Sequence, residues 1–392
     1  MAPITYYNPF ASDVKENPYP YYDWLRREHP VYQNERLGFW AISRYSDVMA
    51  ISRNPEEFSS VQGIGPDRVP TPMMISQDPP IHTRLRSLVS KAFTPKTVTQ
   101  QEQRIKEIVE ELIDPVIQKG KFDLVQDLAF PLPVIVISEM LGVEPERRDD
   151  FKRWSDDVIL IAAATKDPAI AARYMKSWQE FKTFFAQKIE ERRQSPRNDL
   201  ISALVAAQEE REALTLSEIL NFCLLLLVAG NETTTNLITN GAKAIFEHPD
   251  QAEKLRQHPE LINSMVEEAL RYDSPIQGTF RTNNHELEVQ GVKIPANSKI
   301  LLLWGAANRD AEQFPDPDKF DIERTPNRHV SFGMGIHICL GAPLARLEAR
   351  IATEVLLRRM RNIRPDPDGA RDRVDNPMFR GLHHFPLLFD LP

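Results

Sequence analysis

The chain has 392 residues, 42% of them hydrophobic, and its 48 Lys and Arg stand against 56 Asp and Glu for a formal net charge of −8. That length can bury a large core and, as a prior, allows two or three domains or one large one. The acidic balance argues against a nucleic-acid binder and leaves only local basic patches to dock an acidic partner protein, while two cysteines, Cys223 and Cys339, exclude a disulfide framework.

The N-terminus, MAPITYYNPF, has no basic stretch followed by an apolar core. No run reaches the roughly 18 consecutive apolar residues of a membrane span. Both features predict a soluble, cytoplasmic chain without a membrane span. No internal repeat or Gly/Ser linker divides the sequence, and the 31 prolines are spread throughout, which predicts a single domain over residues 1–392. Helical patterning dominates, at roughly 80–92, 100–119, 133–141, 146–161 and 169–193. Strand-like pieces are short: 31–33, 38–42, 286–289 and 299–304. The fold class is therefore mainly α with a small β portion.

A long helix is expected from Ser217 to Glu247. Thr215 and Glu218 have capping-box spacing before it, and His248-Pro249 ends it after about 45 Å. In its middle lies Ala229-Gly230-Asn231-Glu232-Thr233-Thr234. Gly230 there costs about 1 kcal/mol relative to alanine, and a buried Glu232 costs more unless paired. The alternative is a glycine that permits close helix packing, with Glu232 turned to solvent. A second helix, 259–273, carries Glu268 and Arg271 three apart on one face, where they can pair.

The strongest local signal is Phe332-Gly333-Met334-Gly335-Ile336-His337-Ile338-Cys339-Leu340-Gly341, followed by a helix predicted over 342–360. Three glycines crowd one cysteine just before a helix N-terminus. There the helix dipole and free N–H groups are expected to lower the thiol pKa and stabilise a thiolate. Cofactor ligation, a nucleophilic cysteine, a zinc ligand and a structural thiol all remain open at this point. For zinc, His337 and Cys339 make only a partial ligand set.

This stretch resembles the cysteine-ligand loop of the cytochrome P-450 superfamily, Phe-x-x-Gly-x-His/Arg-x-Cys-x-Gly. Phe332, Gly335, His337, Cys339 and Gly341 match it at every defined position. Glu268 and Arg271 are similar to the family's Glu-x-x-Arg, and Ala229, Gly230, Glu232 and Thr233 to its oxygen-activation motif. Further matches are Asp78-Pro79-Pro80-Ile81-His82-Thr83-Arg84-Leu85-Arg86, Ala307-Asn308-Arg309-Asp310 and Phe320-Asp321-Ile322-Glu323-Arg324, so the likeness covers essentially the whole chain. It implies the P-450 fold, a long central helix over a haem with short sheets at the edge, and a haem-thiolate monooxygenase. By the same resemblance, Cys339 is the proximal ligand of a haem b iron, and Phe332 packs near the sulfur. His82, Arg86, Arg281 and His337 meet the haem propionates, although a surface cation is the alternative for each and above all for His82. Glu268, Arg271 and Arg324 form a buried ion network that fixes the cysteine loop.

On the other face of the haem, the resemblance assigns Thr233 as the alcohol that bonds bound oxygen and Glu232 as the acid that relays protons. O2 is the co-substrate. Electrons derive from NAD(P)H and arrive through a separate ferredoxin or flavodoxin with its reductase, with Arg84, Arg346 and Arg350 as trial docking residues. By family position the substrate pocket is lined from 61 to 75, 225 to 233 and 276 to 280, and around Met378 and Phe379. Met73, Met74, Leu226, Ala229, Ile276, Phe280 and Phe379 are its main candidates. They suit a hydrophobic steroid, terpenoid, fatty acid or polyketide. Two rival functions are a peroxide-driven peroxygenase, against which the Glu232-Thr233 pair argues, and a non-catalytic haem sensor or electron carrier.

Overall fold

The computed structural model describes residues 4–158, 167–209 and 212–391. Its axis is the central helix, Leu216–Glu247, which opens on a capping box in which Thr215 Oγ1 accepts from the Glu218 N–H while the Glu218 carboxylate accepts from the Thr215 N–H. By length and composition this helix could cross a bilayer. It is instead packed on several sides, by helices Pro131–Met140, Ile262–Tyr272 and Ala342–Arg359 and by the π-helical turn Leu124–Ala129. A hydrophobic run of this kind is the signature of an internal helix as much as of a span.

The helix expected at 80–92 runs Ile81–Ala92, the one at 100–119 runs Glu102–Ile117, and the one at 169–193 runs Pro168–Gln194. The segment expected as one helix at 146–161 divides into a 3-10 turn, Pro145–Arg147, and a helix, Arg148–Val158; its last residues lie outside those described. Likewise 259–273 begins with a 3-10 turn, Pro259–Leu261, before the α-helix.

Five strands form the larger sheet in the order Val31–Asn34, Phe39–Ile42, Lys299–Leu302, Thr279–Asn283, Phe58–Ser59. All its pairings are antiparallel except that of Phe39–Ile42 with Lys299–Leu302. The strand expected to reach Trp304 stops at Leu302, and Trp304 opens a one-turn helix. Thr279–Asn283 gave no clear sequence signal, because it is buried on both faces, with Arg281 and Asn283 on one and Phe280 and Thr282 on the other, so polarity does not mark which face is inside. A second sheet joins Arg361–Pro365, Pro386–Asp390 and Lys121–Asp123. One apolar core cluster spans Met74 to Phe389 and takes in the central helix; two smaller ones lie on the two faces of the larger sheet.

Candidate active site

The cysteine loop is shaped by its glycines. Gly333 and Gly335 have φ of +69° and +71°, a region that other residues enter only at a cost. A Cβ on Gly335 would also fall 2.3 Å from the Ser52 carbonyl oxygen. The Cys339 N–H donates to the Phe332 carbonyl at 2.8 Å, which closes the loop just before helix Ala342–Arg359.

Beneath the loop lies the predicted ion network. Arg271 donates from Nε and Nη2 to the two Glu268 oxygens at 2.8 Å each, with both side chains 0% exposed. Its other N–H groups reach the carbonyls of Asn308, Pro317 and Lys319 at 3.0, 2.7 and 2.9 Å. Glu268 also accepts from Arg324 Nε, Asn327 Nδ2 and the Asp321 N–H at 3.2, 3.0 and 2.9 Å. A buried ion pair is tolerated when its remaining lone pairs and protons are satisfied in this way. Asn308 carries the tie onward, accepting from the Val330 N–H at 2.7 Å and donating to Ser331 Oγ at 2.7 Å.

Cys223 is buried, and burial pushes its thiol up to about 12, whereas Cys339 keeps accessible surface. The expected lowering of the Cys339 pKa needs correction. The Gly341 and Ala342 N–H groups and the charges of Arg86 and Arg346 do pull it down, but desolvation by the surrounding protein outweighs them and the net direction is upward. A thiolate here therefore calls for a further positive charge on the sulfur.

Four basic side chains gather nearby. The His82 and His337 rings lie 4.4 Å apart, and among the described residues neither Nδ1 has a hydrogen-bond partner. His82 is only 2% exposed, so the surface-cation alternative does not apply to it. Among the described residues Arg281 donates only to its own strand's Phe280 carbonyl, at 2.7 Å, and Arg86 bonds no carboxylate. Burial, then Arg281, His82 and Arg86, drives His337 down to about 3. Asp78 is the carboxylate that acts on Arg281 and His82, yet among the described residues it bonds neither, and buried donors without acceptors beside like charges are costly to fold. The cluster thus fits a ligand carrying two carboxylates, and with an accessible cysteine beside it the residues fit a haem. Among the described residues no group of three or more His, Cys, Asp or Glu is gathered to hold a metal by itself.

On the central helix, Glu232 accepts no hydrogen bond among the described residues, and burial alone pushes its carboxyl up to about 7. Thr233 Oγ1 donates to the Ala229 carbonyl at 2.7 Å. Gly230 does serve helix packing, since a Cβ there would touch Ile137 Cγ1 at 3.4 Å, but Glu232 is not turned to solvent. The sequence did not point to Ser155, which accepts from Asn231 Nδ2 at 3.0 Å and donates to the Leu227 carbonyl at 3.3 Å. Nor did it single out Glu348, 1% exposed with Oε2 unpartnered and its carboxyl pushed by burial to about 8. Its spacing among Leu344, Ala352 and Val355, all on the buried face of one helix, was the available signal.

Of the pocket candidates, Ala229 is exposed, Met73 and Leu226 are half-buried, and Met74 is buried in the main core cluster. Ile276 and Phe379 form a bridge between two distant segments. Phe280 is a correction: it is 2% exposed and packs into a core cluster with Tyr7, Tyr22 and Leu25, its ring 5.8 Å from that of Phe39. Strand alternation points it away from its neighbour Arg281. The three docking arginines are also corrected as a free cationic patch, since Arg84 pairs with Glu218, Arg346 with Glu267, and Arg350 with Glu102 and Glu354.

The model of the family Cytochrome P450 matches residues 66–382. Cytochrome P450 109 of Bacillus spizizenii is 40% identical over 374 residues, covering 94% of this chain and 91% of that protein. Among solved structures, CYP109Q5 from Chondromyces apiculatus superposes with a TM-score of 0.90 at 42% identity over 98% of both chains. CYP109E1 from Bacillus megaterium in complex with testosterone gives 0.89 at 38% identity, over 96% of this chain and 100% of that one. The chain belongs to the cytochrome P450 family. It is a haem-dependent monooxygenase that uses O2 and electrons derived from NAD(P)H through partner proteins.

Proposed function

We propose that this enzyme hydroxylates a hydrophobic small molecule, a steroid being the first class to test, with Cys339 as the iron ligand and Glu232 and Thr233 as the proton-handling pair. The observation that carries the reading is the meeting of one accessible cysteine with four basic side chains, of which His82 and His337 each leave a buried ring nitrogen without a partner among the described residues. His82, Arg86, Arg281 and His337 would hold the haem propionates, and the Cys339 sulfur would bind the iron. The haem, once bound, supplies the site where O2 is reduced and one oxygen atom is passed to substrate carbon. Glu232, raised to about 7, holds or gives up a proton near neutral pH, as a general acid must. Thr233 directs a hydroxyl from the same helical turn, and Gly230 lets that turn pack against Ile137.

The steroid class rests on the testosterone complex of the similar CYP109E1 and on the apolar character of Met73, Leu226, Ile276 and Phe379. Electrons would come from a separate ferredoxin or flavodoxin with its reductase, in the cytoplasm, and the chain would act as a single domain. The test is optical titration of purified haem-loaded protein with testosterone and with a fatty acid of similar size. A saturable shift of the Soret band with the steroid, followed by a hydroxylated product under a ferredoxin system, is expected. Absence of any shift with the steroid would remove that class, and absence of product with every bound ligand would overturn the monooxygenase assignment.

A further inference from the structure

A second polar circuit encloses Phe332, beside the Glu268 network. It starts at His329, whose side chain is 3% exposed and whose Nδ1 accepts the Ser331 N–H at 3.3 Å. The ring proton therefore sits on Nε2, which donates to Glu267 Oε2 at 3.0 Å. Glu267, on helix Ile262–Tyr272, also accepts from Arg346 Nε and Nη2 at 2.6 and 2.9 Å, a bidentate grip that fixes the guanidinium plane. So held, Arg346 lies over the Phe332 ring with its Cζ 4.5 Å from the centroid, and the His329 ring stands 6.0 Å from that same ring. Two facts place this charge close to the sulfur. The Phe332 carbonyl accepts the Cys339 N–H at 2.8 Å, and Arg346 is the fourth residue after Ala342, on the helix whose first N–H groups point at Cys339. The charges that act most on Cys339 are those of Arg86 and Arg346, so the sulfur meets the positive end of the Arg346–Glu267 pair.

We infer that Arg346, held against Phe332 by Glu267, sets how strongly the Cys339 sulfur donates to iron and so how readily that iron is reduced. The inference rests on the proposed role of Cys339 as the iron ligand. A fixed positive charge beside a thiolate draws electron density back toward the sulfur, and weaker donation favours the reduced metal. An arginine free in solvent would be hydrated and screened. This one is anchored at both ends, by a carboxylate and by the face of an aromatic ring, so its charge stays where it acts. The docking role once expected of Arg346 needed a free cation; the tuning role needs one that is tied down. Arg346 is a positioning residue, since it touches neither iron nor substrate and works through the sulfur.

The test is the reduction potential of the purified haem-loaded enzyme, taken spectroelectrochemically with no partner protein present, so that docking plays no part. Arg346→Gln removes the charge and keeps a planar amide that can still meet Glu267. Arg346→Met removes the charge and keeps a stem that covers the Phe332 ring, so either variant decides if the other fails to load haem. At the potential where the parent is half-reduced, both are expected to show a ferrous-to-ferric ratio roughly two- to fivefold below the parent's, the range for one partly exposed charge. Arg346→Lys, which keeps the charge but not the bidentate grip, should fall between them and the parent. A haem-loaded neutral variant with the parent's ratio would overturn the inference, and so would a fall in Arg346→Lys as large as in Arg346→Gln, which would assign the effect to packing. The carbon monoxide spectrum of the reduced parent separates the two readings. If its red-shifted Soret band is present and the neutral variants keep the parent's ratio, only the tuning role fails; if that band is absent from the parent, the assignment of Cys339 as ligand fails.

Discussion

Glu232 couples proton chemistry to stability. Its ordinary value of 4.5 applies in the unfolded chain, while burial raises it to about 7 in the folded one. Between those values the folded state holds a proton the unfolded state has released, so this group's contribution is most favourable below about pH 4.5 and declines as pH rises to about 7. Glu232→Gln removes the decline. The variant should melt with the parent near pH 4.5 and about 1–3 °C above it near pH 8, as followed by circular dichroism across that range; identical profiles would show that Glu232 ionises freely. Thr233→Ala, by contrast, keeps helix preference and loses little volume, so folding and haem loading should persist. Its reductant consumption should continue while product falls and hydrogen peroxide rises, quantities to be measured together in one reaction. Cys339→Ser should abolish the red-shifted Soret band of the reduced carbon monoxide complex, because a serine hydroxyl stays protonated where a thiol need not; survival of that band would assign the iron to another ligand.

Among the elements, helix Ile262–Tyr272 shows how local spacing and tertiary setting divide the information. Three-residue spacing told which side chains share a face, but not that Glu268 and Arg271 would both be 0% exposed and bonded to residues up to 59 positions away. Arg271→Ala leaves that carboxylate buried without its main partner and should cost roughly 3–5 kcal/mol, to be read from the denaturant midpoint of haem-loaded protein. A midpoint equal to the parent's would mean that Arg324 and Asn327 suffice. Similar reasoning explains what was legible elsewhere. The central helix was readable from Thr215, Glu218 and His248-Pro249, since caps and breakers are local chemistry. Strand Thr279–Asn283 was not, because its face pattern depends on neighbours remote in sequence. Phe280 was misjudged for the same reason: its position in the chain is beside Arg281, but the pleat sends it to the other side of the sheet. The partners of Arg84 and Arg346, Glu218 and Glu267, come from other elements and were out of reach of local reading, whereas for Arg350 the Glu354 four residues on was a legible signal beside the remote Glu102.

At the scale of the molecule, apolar packing and polar ties have different reach. The main core cluster joins most helices and meets the cysteine loop at Phe332 and Leu340, while the loop's backbone is set by hydrogen bonds through Asn308, Ser331 and the glycine turns. Glu268, Arg271, Arg324, Asn327 and Asn308 bind one another, the backbone and, through Asn308, the hydroxyls of Ser274 and Ser331. These contacts are made between protein atoms, and on that ground the scaffold under the loop is expected to hold in the bare polypeptide. The expected order of assembly is that the chain closes this scaffold first and receives its prosthetic group afterwards. Polypeptide produced under iron and haem limitation should then unfold cooperatively and take up added haemin within minutes to give the native spectrum. Arg271→Ala should do neither, whereas His82→Ala and Arg86→Ala, which lie in the basic cluster and outside the Glu268 network, should fold and fail at the second stage.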